Sequence, residues 1–355
     1  MLLEELGYNH ELEQFRIDQN LKDFEVGRVV TEHKERYIVK TDENVYDSEV
    51  IGNLRFTAQD RSDFPAVGDW VAISVFDSSN AVIHKILPRK SVIQRQAVGK
   101  EGEIQIIATN VDYAFIVQAA DMDFNINRLE RYLAISASAN VEPIIVLTKT
   151  DLIDVAELDS MLNQIKERID IEFVFTVSNI SKTGYEELIK VFIRGKTYCF
   201  LGSSGVGKST LINNLSGQEL MKTNSISSST NKGRHITSHR ELILLEKGGI
   251  LIDNPGMREV GIADLEGSLD NVFDDIKQLS NQCRYANCEH VHEKGCAVLE
   301  ALESGAINKS SYDNYLKLKK ENEHFQSSVA EKRKKDKQFG KMVKDFKKHR
   351  NQNKF

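Results

Sequence analysis

At 355 residues the chain is longer than one hydrophobic core usually spans, so two or three domains are expected. Its 40% apolar and 28% charged residues fit a folded soluble protein, four cysteines are too few for a disulfide scaffold, and no apolar run approaches the roughly 18 residues that a bilayer requires. The start, MLLEELGYNHELEQF, is acidic and unlike a signal peptide, so a cytoplasmic protein with no membrane association is expected.

The net charge of −6 argues against a nucleic-acid partner only as an average. The last 25 residues, EKRKKDKQFGKMVKDFKKHRNQNKF, hold eleven Lys or Arg against three Asp or Glu, so this tail carries +8 and the other 330 residues −14. Blocks of this kind bind phosphate or remain solvated.

In chain order, residues 1–22 read as an N-terminal extension. From about Phe24 to Gln96, the alternating stretches GRVVTEHKERYIVKT, NVYDSEVIGNLRFTA and DWVAISVFD are separated by the turn signals FPAVGD and DSSN. About five strands in so short a span predict a small antiparallel barrel such as an OB-fold, over 23–97. Such a barrel either binds oligonucleotides or only packs against its neighbour.

After Ile104 the rhythm changes. DYAFIVQAA and VEPIIVLTKT are near-continuous apolar runs, as parallel strands covered on both faces require, and NINRLERYLAISASA between them has helical spacing. A helix from about Ala156 to Arg168, the strand EFVFTVS, the helix GYEELIKVFI and the strand KTYCFLGSS follow. RELILLEKGGILIDNPG then reads as two strands joined by a Gly-Gly turn. The whole predicts a doubly wound α/β unit over 98–264. Residues 265–330 read as helical around a cysteine cluster, and the basic tail covers 331–355.

Gly202 to Ser209 match the phosphate-loop pattern G-x-x-x-x-G-K-[ST] between an apolar strand and the helix STLINNL. Gly202, Ser203, Ser204, Gly205, Val206 and Gly207 supply backbone amides that curl around phosphate, and the helix N-terminus adds positive potential. Lys208 reaches the β and γ phosphates, Ser209 ligates Mg2+, and Thr210 follows in the first turn. Downstream, LIDNPG ends a strand at Asp253, placed to hold Mg2+ through water, and Gly256 offers an amide to the γ-phosphate. Between them STNKGRHITSHREL has the polar character of a switch segment, with Thr237 as the chosen metal ligand and Thr230 and Ser238 as rivals.

Thr148, Lys149, Thr150 and Asp151 form TKTD at the end of the strand PIIVL. A carboxylate at Asp151 accepts two hydrogen bonds from guanine, whereas adenine would leave it unpaired. Lys149 is expected along the base plane, tying this loop to the phosphate loop. Ser178 and Asn179 close a following strand in TVSN and back the base.

Cys283, Cys288, His290 and Cys296 have the spacing C-x4-C-x-H-x5-C, which suits a closed tetrahedral Zn2+ site; on spacing alone His292 serves as well as His290. Cys199, within an apolar strand, reads as a small core residue.

An ordinary GTPase has its phosphate loop first and its base motif near the end; here the base motif comes at 148 and the phosphate loop at 202. With NVDYAFIV, FNINRLERYL, GSSGVGKSTLIN, GRHITSHREL, DNPGMRE and CRYANCEHVHEKGCAV, this order is similar to that of the ribosome small-subunit-dependent GTPase A family (RsgA, also called YjeQ), whose GTPase is circularly permuted. The resemblance covers most of the chain. It implies an N-terminal OB-fold, a permuted P-loop GTPase domain and a C-terminal helical zinc domain in which His290 is the ligand. It also implies hydrolysis of GTP to GDP and phosphate, stimulated by the small (30S) ribosomal subunit during its late maturation, contact with 16S rRNA, and a monomer.

Two stretches depart from the family pattern. Thr148 replaces the more frequent Asn, and Ile236 and Ser238 interrupt a run of threonines after Gly-Arg-His. Met257 stands where many GTPases place a water-orienting Gln, so slow intrinsic turnover is expected, with His235 as the internal candidate for positioning water and Arg234 for touching phosphate or RNA. The competing reading is a GTP-binding, RNA-binding factor without significant catalysis of its own, and a metabolic P-loop kinase or ATPase would lack the guanine motif.

Overall fold

The structure, a computed structural model, describes residues 2–33, 36–58, 60–97, 103–121, 123–217, 240–245, 248–253, 265 and 267–352, of which 240, 241, 253, 332, 333 and 335–352 are described by their backbone alone. A 3-10 turn (Leu3–Leu6) and helix α1 (His10–Asp18) precede the first strand. Strands β1 (Glu25–His33), β2 (Arg36–Lys40), β3 (Val45–Val50), β4 (Trp70–Val75) and β5 (Asn80–Ile86) follow, with helix α2 (Gly52–Thr57) between β3 and β4. Their pairing order, β1-β2-β3-β5-β4 and back to β1, closes a five-stranded OB-like barrel in which only β3 and β5 run parallel. Alternation puts Val29, Val39, Tyr46, Val71, Ile73 and Ile83 inside.

The barrel closes at Ile86, so the next strand, β6 (Val92–Gln96), lies outside it, although the period-2 pattern placed it within 23–97. It forms a separate antiparallel ribbon with β7 (Ile104–Thr109). Alternation marks a half-buried strand without saying which partner it finds.

The α/β unit contains β8 (Tyr113–Ala119), α3 (Ile126–Ser138), β9 (Glu142–Thr148), α4 (Val155–Arg168), β10 (Val174–Thr176), α5 (Tyr185–Ile189), β11 (Thr197–Leu201), α6 (Lys208–Ser216), β12 (Arg240–Leu244) and β13 (Ile250–Asp253). Its strands lie in the order β10-β9-β8-β11-β13-β12, all parallel except β12, which pairs antiparallel with β13 across Gly248 and Gly249. Successive strand residues alternate between two buried layers. Phe115, Val117, Ile144, Val146, Tyr198 and Phe200 meet Tyr185, Leu188, Leu211 and Ile212 on one side. Ala114, Ile116, Ile145, Leu147, Cys199 and Leu201 meet Leu129 and Leu133 of α3 on the other, so Cys199 is the core residue expected. That two-sided burial is why these strands read as unbroken apolar runs.

Strand β1 also pairs with β12, Thr31 opposite Glu241 and Glu32 opposite Arg240, so barrel and α/β sheet are hydrogen-bonded edge to edge. Arg28 anchors the junction. Fully buried, it donates to the carbonyls of Leu6 (2.6 Å), Gly68 (3.1 Å) and Asn110 (3.2 Å), joining N-terminal extension, barrel and α/β unit. Burial lowers its pKa to about 10, against the raising fields of Asp112 and Asp69.

The C-terminal helices are α7 (Ser268–Val272), α8 (Asp274–Ser280), α9 (Ala297–Glu303) and α10 (Lys309–Gln352). Leu269, Phe273, Val298, Tyr312 and Leu318 join the same core as α3. The backbone of α10 runs unbroken through 330, so the basic tail, set apart at 331 by its charge, continues a helix of the preceding segment. Among the described residues no helix is long and apolar enough to cross a membrane.

Candidate functional site

Strand β11, buried along its length, delivers the chain to Gly202 in the middle of the parallel sheet. A Cβ on Gly202 would lie 2.3 Å from the Val117 carbonyl oxygen, so the loop can leave the sheet here only as glycine. Ser204 and Gly205 are exposed at the crest. Gly207, with φ +90°, turns the chain into α6, whose first-turn amides point back at the loop. Lys208 Nζ reaches over the loop to the carbonyls of Gly202 (2.6 Å) and Ser203. Ser209 and Thr210 lie half-buried in the first turn of α6.

The base motif lies two strands away, at the C-terminal end of β9. Thr148 is fully buried, and its hydroxyl donates to the carbonyl of Val206 (2.5 Å) and contacts that of Gln118 (3.3 Å). Thr148 thus ties the motif to the phosphate loop, the task expected of Lys149. Lys149 adopts φ +58° and its ammonium pairs with Asp121 at 2.7 Å instead. Burial pushes the Asp121 carboxyl up, but the Lys149 hydrogen bond, the Asp123 amide and the Lys149 charge outweigh it and leave the pKa below its ordinary value. The single 3-10 turn Thr150–Leu152 then presents Asp151 to solvent.

A second tie comes from the loop after β10. Ser178 is buried and its Oγ accepts from the amides of Ile180 (3.2 Å) and Ser181 (3.1 Å), fixing a tight turn. Asn179 Nδ2 donates to the Gly207 carbonyl (3.1 Å), its Oδ1 accepts from Tyr185 OH (2.6 Å), and its carbonyl accepts from Asn214 Nδ2 (3.1 Å). Burial raises the Tyr185 hydroxyl to about 12, against the Asn214 hydrogen bond, so it stays protonated and donating. Tyr185, Asn214 and Asp121 carry no sequence signal of their own, since a lone polar residue near a loop is common and only pairing across the sheet gives it meaning.

Asp253 ends β13, which pairs directly with β11, Ile252 opposite Cys199. Gly256, Met257, Arg234, His235, Thr237 and the rivals Thr230 and Ser238 lie outside the described residues.

The ligand atoms of Cys283, Cys288, His290 and Cys296 lie within 4.8 Å of one another. Tetrahedral bonds of about 2.3 Å to sulfur and about 2.0 Å to nitrogen require S···S of about 3.8 Å and S···N of about 3.5 Å. Cys283 and Cys296 are 3.8 Å apart, and His290 Nδ1 lies 3.6 and 3.4 Å from them, so these three donors stand at the spacing zinc requires, with Cys288 Sγ within 4.8 Å of each. The Leu299 amide points at Cys296 Sγ (3.4 Å), as a thiolate ligand favours. His290 has φ +63° and its carbonyl accepts from Tyr312 OH (2.5 Å), so α10 holds the turn that aims the ring. His292 is exposed and outside the cluster, which decides between the two histidines.

Comparison with known proteins agrees with this geometry. The RsgA GTPase family model matches residues 86–263, half of the chain. A Bacteroides thetaiotaomicron protein named small ribosomal subunit biogenesis GTPase RsgA 1 is 39% identical over 346 residues, 97% of this chain and 96% of its own. A Lactiplantibacillus plantarum protein, small ribosomal subunit biogenesis GTPase RsgA 2, is 42% identical over 296 residues, 83% of each chain. Among solved structures, YjeQ from Thermotoga maritima shares the fold at TM-score 0.60 and 24% identity, over 84% of this chain and 98% of that one. YloQ, described as a circularly permuted GTPase, aligns at TM-score 0.61 and 26% identity, over 84% and 95%. With a base motif that precedes its phosphate loop in sequence yet is hydrogen-bonded to it in space, and with relatives matched along nearly its whole length, the chain belongs to the RsgA GTPase family.

Proposed function

We propose that the protein binds GTP and, on the small (30S) ribosomal subunit, hydrolyses it to GDP and phosphate during late maturation of that particle, acting as a cytoplasmic monomer that contacts 16S rRNA. The observation that carries this reading is the pair of bonds from Thr148 to Val206 and from Asn179 to Gly207, because they hold base-reading and phosphate-binding loops in one rigid unit. The division into extension 1–22, an N-terminal segment 23–97 that contains the barrel, GTPase unit 98–264, zinc-binding helices 265–330 and basic tail 331–355 belongs to the same proposal.

In this reading the amides of residues 202–207 and the N-terminus of α6 bind the phosphates, and Lys208 exchanges its loop carbonyls for β and γ oxygens. Asp151 accepts from the guanine edge; Ser178 and Asn179 shape the turn behind the base. Ser209 and Thr237 would hold Mg2+, with Asp253 placed to act through water, and the ion when bound would supply charge neutralisation at the phosphates. Gly256 donates an amide to the γ-phosphate and His235 positions the attacking water. Cys283, Cys288, His290 and Cys296 would hold a structural Zn2+, a donor set that leaves no open position for catalysis.

The test compares GTP with ATP, for binding and for turnover with and without 30S subunits, in the native protein and in Asp151→Asn. The substitution should reduce the preference for GTP at least about a hundredfold, or ~2.7 kcal/mol. Full retention of that preference would reject the base-reading role, and tight GTP binding without subunit-stimulated turnover would favour a non-catalytic GTP-dependent RNA-binding factor.

A further inference from the structure

Helix α3 touches two parts of the molecule that lie far apart in sequence. On one face Arg128 NH1 donates to Ser203 Oγ of the phosphate loop at 2.7 Å, while the same guanidinium grips both carboxylate oxygens of Asp123 at 2.9 and 3.1 Å. Tyr132, one turn on, is buried. The start of the helix is clamped to the central sheet. Asn125 caps it by accepting from the Arg128 amide, and Gln118 of β8 exchanges two 2.9 Å hydrogen bonds with the Asn125 backbone.

The adjacent face of α3 holds α10. Asn314 Nδ2 donates to Glu130 Oε2 at 2.6 Å and to the Asn127 carbonyl at 3.2 Å, and Arg131 pairs with Glu321. Glu130 is 1% exposed and also binds Arg168 of α4 at 2.6 Å. A buried carboxylate with two such partners is a costly feature for a helix whose only task is packing. Residues 127, 130 and 131 lie within one helical turn of Arg128, so any rotation or slide of α3 that follows α10 also moves the group that holds Ser203.

We propose that α3 is the relay through which α10 sets the phosphate loop, with Arg128 as a positioning residue acting through Ser203. The proposal rests on the functional reading above and deepens it. Subunit contacts along the basic half of α10 bias the arrangement of α3, and α3 passes that bias to the loop that holds the nucleotide. The stimulation of hydrolysis is then carried in part by α3.

The decisive variant is Asn314→Ala, measured in the full zinc-loaded chain with 30S subunits and GTP. The expected result is a fall of at least tenfold in subunit-stimulated kcat, with subunit affinity, intrinsic turnover and GTP affinity within about twofold of the unaltered protein. A merely structural role would change affinity, zinc content and thermal midpoint together and would not single out kcat. Glu321→Gln, which removes the more exposed Arg131 pair at the same interface, is the second variant should Asn314→Ala fold poorly, and the same split is expected of it. Arg128→Lys combined with Asn314→Ala should lose no more stimulated kcat than the worse single variant, because both break one relay. Stimulated turnover equal to that of the unaltered protein, or fully additive losses, would overturn the relay while leaving the functional reading intact. Absence of stimulation in the unaltered protein would overturn both.

Discussion

Gly207 turns the chain in the left-handed region, φ +90°, and a Cβ added there would lie 2.5 Å from Asn179 Nδ2, the group that binds its own carbonyl. Gly207→Ala should therefore cost about 1–2 kcal/mol in backbone strain and, by displacing Asn179, lower GTP affinity at least roughly tenfold; nucleotide titration and thermal unfolding check both. Asp112 makes a pH prediction. Burial pushes its carboxyl up, but Lys90 at 2.7 Å, the Thr197 amide at 2.8 Å and Lys196 at 3.0 Å overcome this and hold it below its ordinary 3.8. Burial lowers Lys90 despite the same ion pair, so the pair's stabilisation is net of a desolvation cost. A carboxyl depressed by folding stabilises above its unfolded pKa and loses that contribution as pH falls through the folded one. Asp112→Asn should lose on the order of 1–3 kcal/mol at pH 7 and show a flatter acid limb below about pH 4, read from denaturant unfolding at a series of pH values. At this scale the phosphate loop and the cysteines were legible because their spacing is itself the chemistry. The partner of Lys149 was not, since a flexible ammonium takes whichever carboxylate the fold brings near, here Asp121.

Among the elements, the parallel strands were the most legible, because residues such as Phe115 and Ile116 are buried on opposite faces of one strand and leave no polar position between them. Residues 92–96 fell within the span assigned to the barrel, whereas β6 pairs with β7 in a separate ribbon. The break placed at 331 followed charge, whereas helix continuity follows backbone propensity, and no Gly or Pro stands at that point, the glycine of α10, Gly340, lying further on. The turns between α8 and α10 have few apolar residues of their own and depend on the four-ligand cluster and on Tyr312. Zinc removal by a chelator, or Cys288→Ser, should lower the thermal midpoint by roughly 5 °C or more and reduce helical circular dichroism, with nucleotide binding retained. An unchanged melting curve would show that the cluster does not stabilise this segment.

For the molecule as a whole, the sheet order explains how a permuted chain keeps a working site. The phosphate-loop strand β11 lies between β13, which ends in Asp253, and β8, with the base-motif strand β9 beyond. Strand pairing depends on which surfaces meet and not on which end of the chain is made first, so reordering the connections leaves the loops side by side. Strand β1 of the barrel pairs with β12, and the basic tail continues α10. Removing residues 331–355 should weaken subunit binding and reduce the slope of log affinity against log salt by roughly 0.7–0.9 for each phosphate that the tail neutralises; an unchanged slope would refute the tail's binding to phosphate. The linear chain by itself determined the chemistry of each motif and the class of each layer, because ligand type, loop spacing and burial period are local properties. Only the tertiary structure decided that Thr148 and Asn179 lock the two loops together, that Tyr312 of α10 holds the turn of His290, and that α3 spans from Ser203 to Asn314. Those are contacts between residues distant in sequence, which form only once the sheet has brought their backbones within hydrogen-bonding reach.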